Sequence, residues 1–69
     1  MKLVKFYQRS GFIYINPEAI RFIQPDDDED GYTYIDLGPK GWATVEGDVD
    51  SVIAKLRVHN CAEIIEFHG

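Results

Sequence analysis

Val49, Val52, Ile53 and Leu56 recur at i, i+3, i+4 and i+7, and this single stripe constrains the fold more than any other feature of the chain. A helix with one apolar face must bury it against a second layer. Asp48 is placed to cap its start, and Asp50 in the first turn suits the positive end of the helix dipole. Arg57 and His59 suit the other end, and Asn60 is placed to stop the helix.

The second layer has to come from short aromatic and β-branched runs with period two, which is strand chemistry. Leu3 to Tyr7 alternates, with Val4 and Phe6 on one face. Gln8-Arg9-Ser10-Gly11 reads as a hairpin loop and Phe12 to Ile15 as the returning strand. Asn16-Pro17 stops that strand, because proline removes a ladder donor, and Asn16 is placed to cap one helical turn over Pro17-Glu18-Ala19. Ile20 to Gln24 resumes as a strand. Tyr32 to Leu37 and Trp42 to Glu46 flank the turn Gly38-Pro39-Lys40-Gly41 and pair as a hairpin, with Ile35, Leu37, Ala43 and Val45 inward. Ala62 to Phe67 reads as a last strand of mixed polarity, with Glu63 and Glu66 on opposite faces. The expected fold is therefore α+β. A small, strongly bent antiparallel sheet of about five to six strands packs against one C-terminal helix, in the order β-β-β-β-β-α-β.

Sixty-nine residues leave room for one domain, expected to span 1–69. Twelve acids against seven Lys and Arg give a charge of −5, which argues against a nucleic-acid partner. No apolar run approaches the ~18 residues of a membrane span, and no signal-peptide pattern opens the chain. One cysteine, Cys61, excludes an internal disulfide framework. It fits a reducing compartment, so a cytoplasmic location is expected.

Three groups of residues invite a chemical reading. Asp26, Asp28, Asp30 and Gly31 fall on positions one, three, five and six of a calcium loop, where alternate carboxylates in a tight turn converge on a cation. Position twelve is Leu37 instead of the bidentate glutamate, and the flanks are strands, so a solvated acidic loop is expected and no metal site is assigned. His59, Cys61 and His68 lack metal-ligand or nucleophile spacing and read as a helix end, a small buried residue and a tail. Neither a Gly-rich phosphate loop nor paired groups in a cleft is evident, so no catalytic or cofactor-binding residue is expected. Tyr32, Tyr34 and Trp42 face away from the expected core. Tyr and Trp are enriched at protein contacts, so these three are the expected interaction residues.

The run Ile15-Asn16-Pro17-Glu18-Ala19-Ile20-Arg21-Phe22-Ile23, then a hairpin, then Val49-Asp50-Ser51-Val52-Ile53-Ala54-Lys55-Leu56, resembles the small FlbD-like proteins of bacterial flagellar operons. The resemblance covers roughly Leu3 to Leu56. It implies a small cytoplasmic β-rich protein without known catalysis, and a bacterial or phage source is expected. The acidic run before Tyr32 is longer than that family's turn, and Ala62 to Phe67 stands where such proteins tend to end in a basic helical tail. Together these features point to a non-catalytic interaction or regulatory domain that self-associates. The alternatives are a ligand or calcium module using the Asp26–Asp30 loop, or an acidic decoy of a nucleic-acid-binding protein.

Overall fold

The computed structural model describes residues 2–59. Val4–Gln8 (β1) and Gly11–Ile15 (β2) form a hairpin closed by Arg9 and Ser10, with Val4 opposite Ile15 and Gln8 opposite Gly11. At Asn16 the chain leaves this ladder. The Asn16 side chain accepts from the Glu18 amide at 3.0 Å and caps a single 3₁₀ turn over Pro17–Ala19. Proline at the first turn position needs no hydrogen-bond partner, so the turn forms where the strand cannot continue.

The chain then enters a second sheet. Phe22–Pro25 (β3), Tyr32–Asp36 (β4) and Trp42–Glu46 (β5) pair antiparallel with β4 central. Ile35 lies between Ile23 and Ala43, and Thr33 between Pro25 and Val45. Pro25 is tolerated because β3 is an edge strand. A 3₁₀ turn over Gly38–Lys40 joins β4 to β5, and Leu37 closes it by donating to the Gly41 carbonyl at 2.8 Å. Gly41 sits at φ 106°, ψ −139°, a conformation open essentially only to glycine.

The α+β class with antiparallel sheets and one C-terminal helix is therefore present, but the strand count and arrangement differ from the expected sheet. Among the described residues five strands are divided into ladders of two and three, not joined in one bent sheet. The reason lies at Asn16–Ile20: the 3₁₀ turn redirects the chain, so β3 pairs with β4 and not with β2. The ladders meet at β1 and β5, where the Gln8 side chain donates to the Thr44 carbonyl at 3.3 Å. The third strand begins at Phe22 instead of Ile20, and Leu37 is half-buried past the end of β4. The expected strand Ala62 to Phe67, with Asn60 as helix stop, lies outside the described residues.

Val49–Val58 (α1) covers the inner faces. Val52 and Leu56 are buried with Val4, Phe6, Ile15, Ile35, Ala43 and Val45, while Val49 and Ile53 are half-buried at the margin. Among the described residues Thr33 is the one buried polar side chain, and its hydroxyl donates to the Gly47 carbonyl at 2.8 Å. A buried hydroxyl without a partner would be costly, and this bond removes that cost.

Asp48 caps α1 by accepting from the Ser51 amide at 2.8 Å. That backbone bond, then the Ser51 side chain, hold its carboxyl below the ordinary value of 3.8. The folded pKa is depressed, so the native state binds fewer protons than the unfolded chain across the gap between the two values. The cap's charge-dependent stability is full above the unfolded value and is lost as pH falls through the folded one. Asp48→Ala should therefore lower the melting temperature at pH 7. The difference from wild type should shrink as pH drops below about 4, where the unfolded carboxyl titrates. Thermal melts of both proteins between pH 2 and 7 check this.

Candidate interaction surface

Because side chains alternate across a strand, burying Ile35, Ala43 and Val45 forces Tyr34 and Trp42 onto the opposite face. Tyr34 pairs with Thr44, and Trp42 with Asp36, so the two rings are diagonal neighbours, within reach of large side chains. Their centroids lie 5.6 Å apart at 23°, a stacked pair. On the other flank Phe22 approaches Tyr34 to 6.1 Å at 31°. Three strands thus contribute one ring each to a continuous aromatic row, with Tyr34 in the middle.

The row is open to solvent. Trp42 is 64% exposed and Phe22 47%, whereas Tyr34 is half-buried between them. Aromatic stacking of this kind contributes about 0.5–1.5 kcal/mol beyond the area buried. It leaves most of the indole surface in water.

Of the three residues expected from sequence, the structure brings Tyr34 and Trp42 together and separates Tyr32 from them. Tyr32 shares their face but lies under the Arg9 guanidinium, 5.9 Å from the ring centroid. Arg9 is also paired with Glu29, which ties the acidic loop to the tip of the β1–β2 hairpin. Phe22 was missed. Its signal was the alternation Phe22, Ile23, Gln24, which assigns a face only once the partner strand is known.

The calcium-loop residues do not converge. Asp26 donates its amide to the Tyr32 carbonyl at 3.0 Å. Asp26, Glu29 and Asp30 line an open groove of about 250 Å³ with Asp48 and Asp50 at the start of α1, and Asp28 is not among its lining residues. Among the described residues, no group of three or more His, Cys, Asp or Glu is placed to hold a metal ion. Gly31 at φ 82° leads the chain directly into β4. His59 closes α1, and its carbonyl accepts from Lys2 Nζ at 2.7 Å. Cys61 and His68 lie outside the described residues.

A second aromatic patch covers the outer face of the β1–β2 hairpin. Lys5 lies opposite Tyr14, and Tyr7 opposite Phe12. Phe12 and Tyr14 meet edge to face at 5.6 Å, and Lys5 Nζ lies 4.3 Å from the Phe12 ring centroid. Tyr7, Phe12 and Tyr14 are each more than half exposed. The sequence carried this signal too, in the alternation of these residues with Val4, Phe6, Ile13 and Ile15.

Among the described residues no helix is long and apolar enough to cross a membrane. Comparisons with protein-family models, with curated proteins and with solved structures found no match, so the surface itself supports the functional reading.

Proposed function

We propose that this chain is a non-catalytic interaction domain that self-associates through the Phe22–Tyr34–Trp42 row. The observation that carries the reading is Trp42, a stacked indole that is 64% exposed on the outer face of the three-stranded sheet. Tyr and Trp anchors in the centre of a contact supply a large share of binding energy, and a symmetric pair of copies is the commonest closed assembly. A two-fold axis through the row would set each Trp42 against the partner's aromatic face. The net charge of −5 limits indiscriminate association, so the contact depends on the rings. The resemblance to FlbD-like proteins and the single cysteine support a cytoplasmic bacterial or phage protein with a regulatory role.

Sedimentation equilibrium from low to high micromolar concentration tests the reading. A dimer mass that gives way to monomer in Tyr34→Ser, with wild-type circular dichroism, is the expected result. A monomer at every concentration would refute self-association.

A further inference from the structure

The β1–β2 hairpin carries a second surface, on the other ladder from the Trp42 row. We propose that its outer face binds a short stretch of single-stranded nucleic acid, with bases on Tyr7, Phe12 and Tyr14 and phosphates on Lys5 and the cations around it.

Alternation fixes what this face is made of. Val4, Phe6 and Ile15 are buried and Ile13 is half-buried, so Lys5, Tyr7, Phe12 and Tyr14 are the outward positions. Three of them are aromatic, each more than half exposed, and the fourth is a cation set among the rings. Lys5 Nζ lies 4.3 Å from the Phe12 ring centroid, 5.3 Å from that of Tyr7 and 6.0 Å from that of Tyr14. Lys55, which donates to the Lys5 carbonyl, brings a second ammonium to 5.9 Å from the Tyr7 centroid. Arg9 stands in the loop at the hairpin tip.

The charge of the chain is unevenly spread. A net −5 argues against a nucleic-acid partner only where the acids share the binding surface. All twelve acids follow Ile15, whereas Lys2, Lys5 and Arg9 precede it. At the margin of the face Glu29 is paired with Arg9, and Glu46 shares an open groove of about 130 Å³ with Tyr7 and Lys55. Each of these marginal acids therefore comes with a cation.

Rings and cations together select the occupant. An acidic peptide would use the ammonium groups and leave the rings idle. An apolar partner would bury the rings and strand the ammonium of Lys5. A single strand of nucleic acid uses both, because every base offers a π face to an aromatic ring and every nucleotide a phosphate to a cation. In a duplex the base faces are closed within the stack, so this surface favours single strands. Lys5 has a flexible stem, and its ammonium can leave the ring face for a phosphate as a base takes its place.

Fluorescence anisotropy of a labelled oligothymidylate of about six nucleotides, with protein titrated to high micromolar concentration at low salt, tests the proposal. Saturable binding should weaken roughly fourfold for each doubling of salt, the dependence of about three phosphate contacts. Phe12→Ala and Phe12→Leu should each weaken it at least about fivefold while keeping wild-type circular dichroism, since leucine retains apolar bulk without a π face. Lys5→Gln should flatten the salt dependence by about one phosphate contact. Tyr34→Ser should bind as wild type does, so this proposal and the Trp42 dimer fail separately; loss of binding in Tyr34→Ser would put the strand on the other row and overturn the proposal. No binding at low salt, undiminished binding by the Phe12 variants, or a duplex of the same length bound as tightly would each overturn it. Displacement of the oligonucleotide by polyglutamate at equal charge concentration would assign the face to an acidic protein and overturn it as well.

Discussion

Phe6→Ala should leave the chain largely unfolded at room temperature. Phe6 is 2% exposed and lies in the core shared by both ladders and the helix, with Lys55 Nζ 4.9 Å from its ring centroid. Truncating a buried phenylalanine costs about 3–5 kcal/mol, because transfer energy is lost and a cavity remains. A chain of this length has a total stability of roughly 3–10 kcal/mol, so the loss consumes much or all of it. Urea unfolding followed by circular dichroism should show the midpoint collapse toward zero. Val58→Ala, at a position 77% exposed, should stay within about 0.5 kcal/mol of wild type. Equal effects at the two positions would mean that the core is not where the structure places it.

Trp42→Ala should weaken self-association by at least about 30-fold, since anchor residues of this type cost 2 kcal/mol or more when truncated. In the proposed symmetric contact each copy would contribute its Trp42, so the loss would be larger than that of a single anchor. Stability should change far less. The ring is mostly in water, and its stacking on Tyr34 contributes only about 0.5–1.5 kcal/mol. That separation is the diagnostic part of the prediction. A variant that stays folded and loses its dimer identifies a contact residue, whereas one that loses both together identifies a structural one. Sedimentation velocity and a melt on the same sample read the two effects.

Elements specified by neighbours in the chain were legible without coordinates. The Asn16 turn needs only an oxygen two residues before an amide, and the Asp48 cap only one three residues before; both formed as their spacing required. The apolar stripe of α1 likewise follows from residues within two turns, although Val49 and Ile53 lie at its edge, not its centre. Pairing between strands is another matter. Nothing local to Phe12–Ile15 records that β3 turns away from it, and for that reason two ladders were read as one sheet. The same gap hid part of the candidate surface. Tyr34 and Trp42 belong to one hairpin and could be assigned to one face by counting, whereas Phe22 joins them only through the β3–β4 register. Tyr32 had the right face and the wrong company, because a contact with Arg9 from the other ladder cannot be seen in the alternation of β4.

Trp42 is the only tryptophan, so its fluorescence reports on the aromatic row with no other indole to confuse the signal. Emission spectra recorded from nanomolar to high micromolar protein are the most direct measurement. If the row is where two copies meet, the emission should move to shorter wavelength as concentration rises, along the same curve as the growth in mass. Emission that stays at the wavelength of a hydrated indole while the mass doubles would place the contact elsewhere and contradict the central claim.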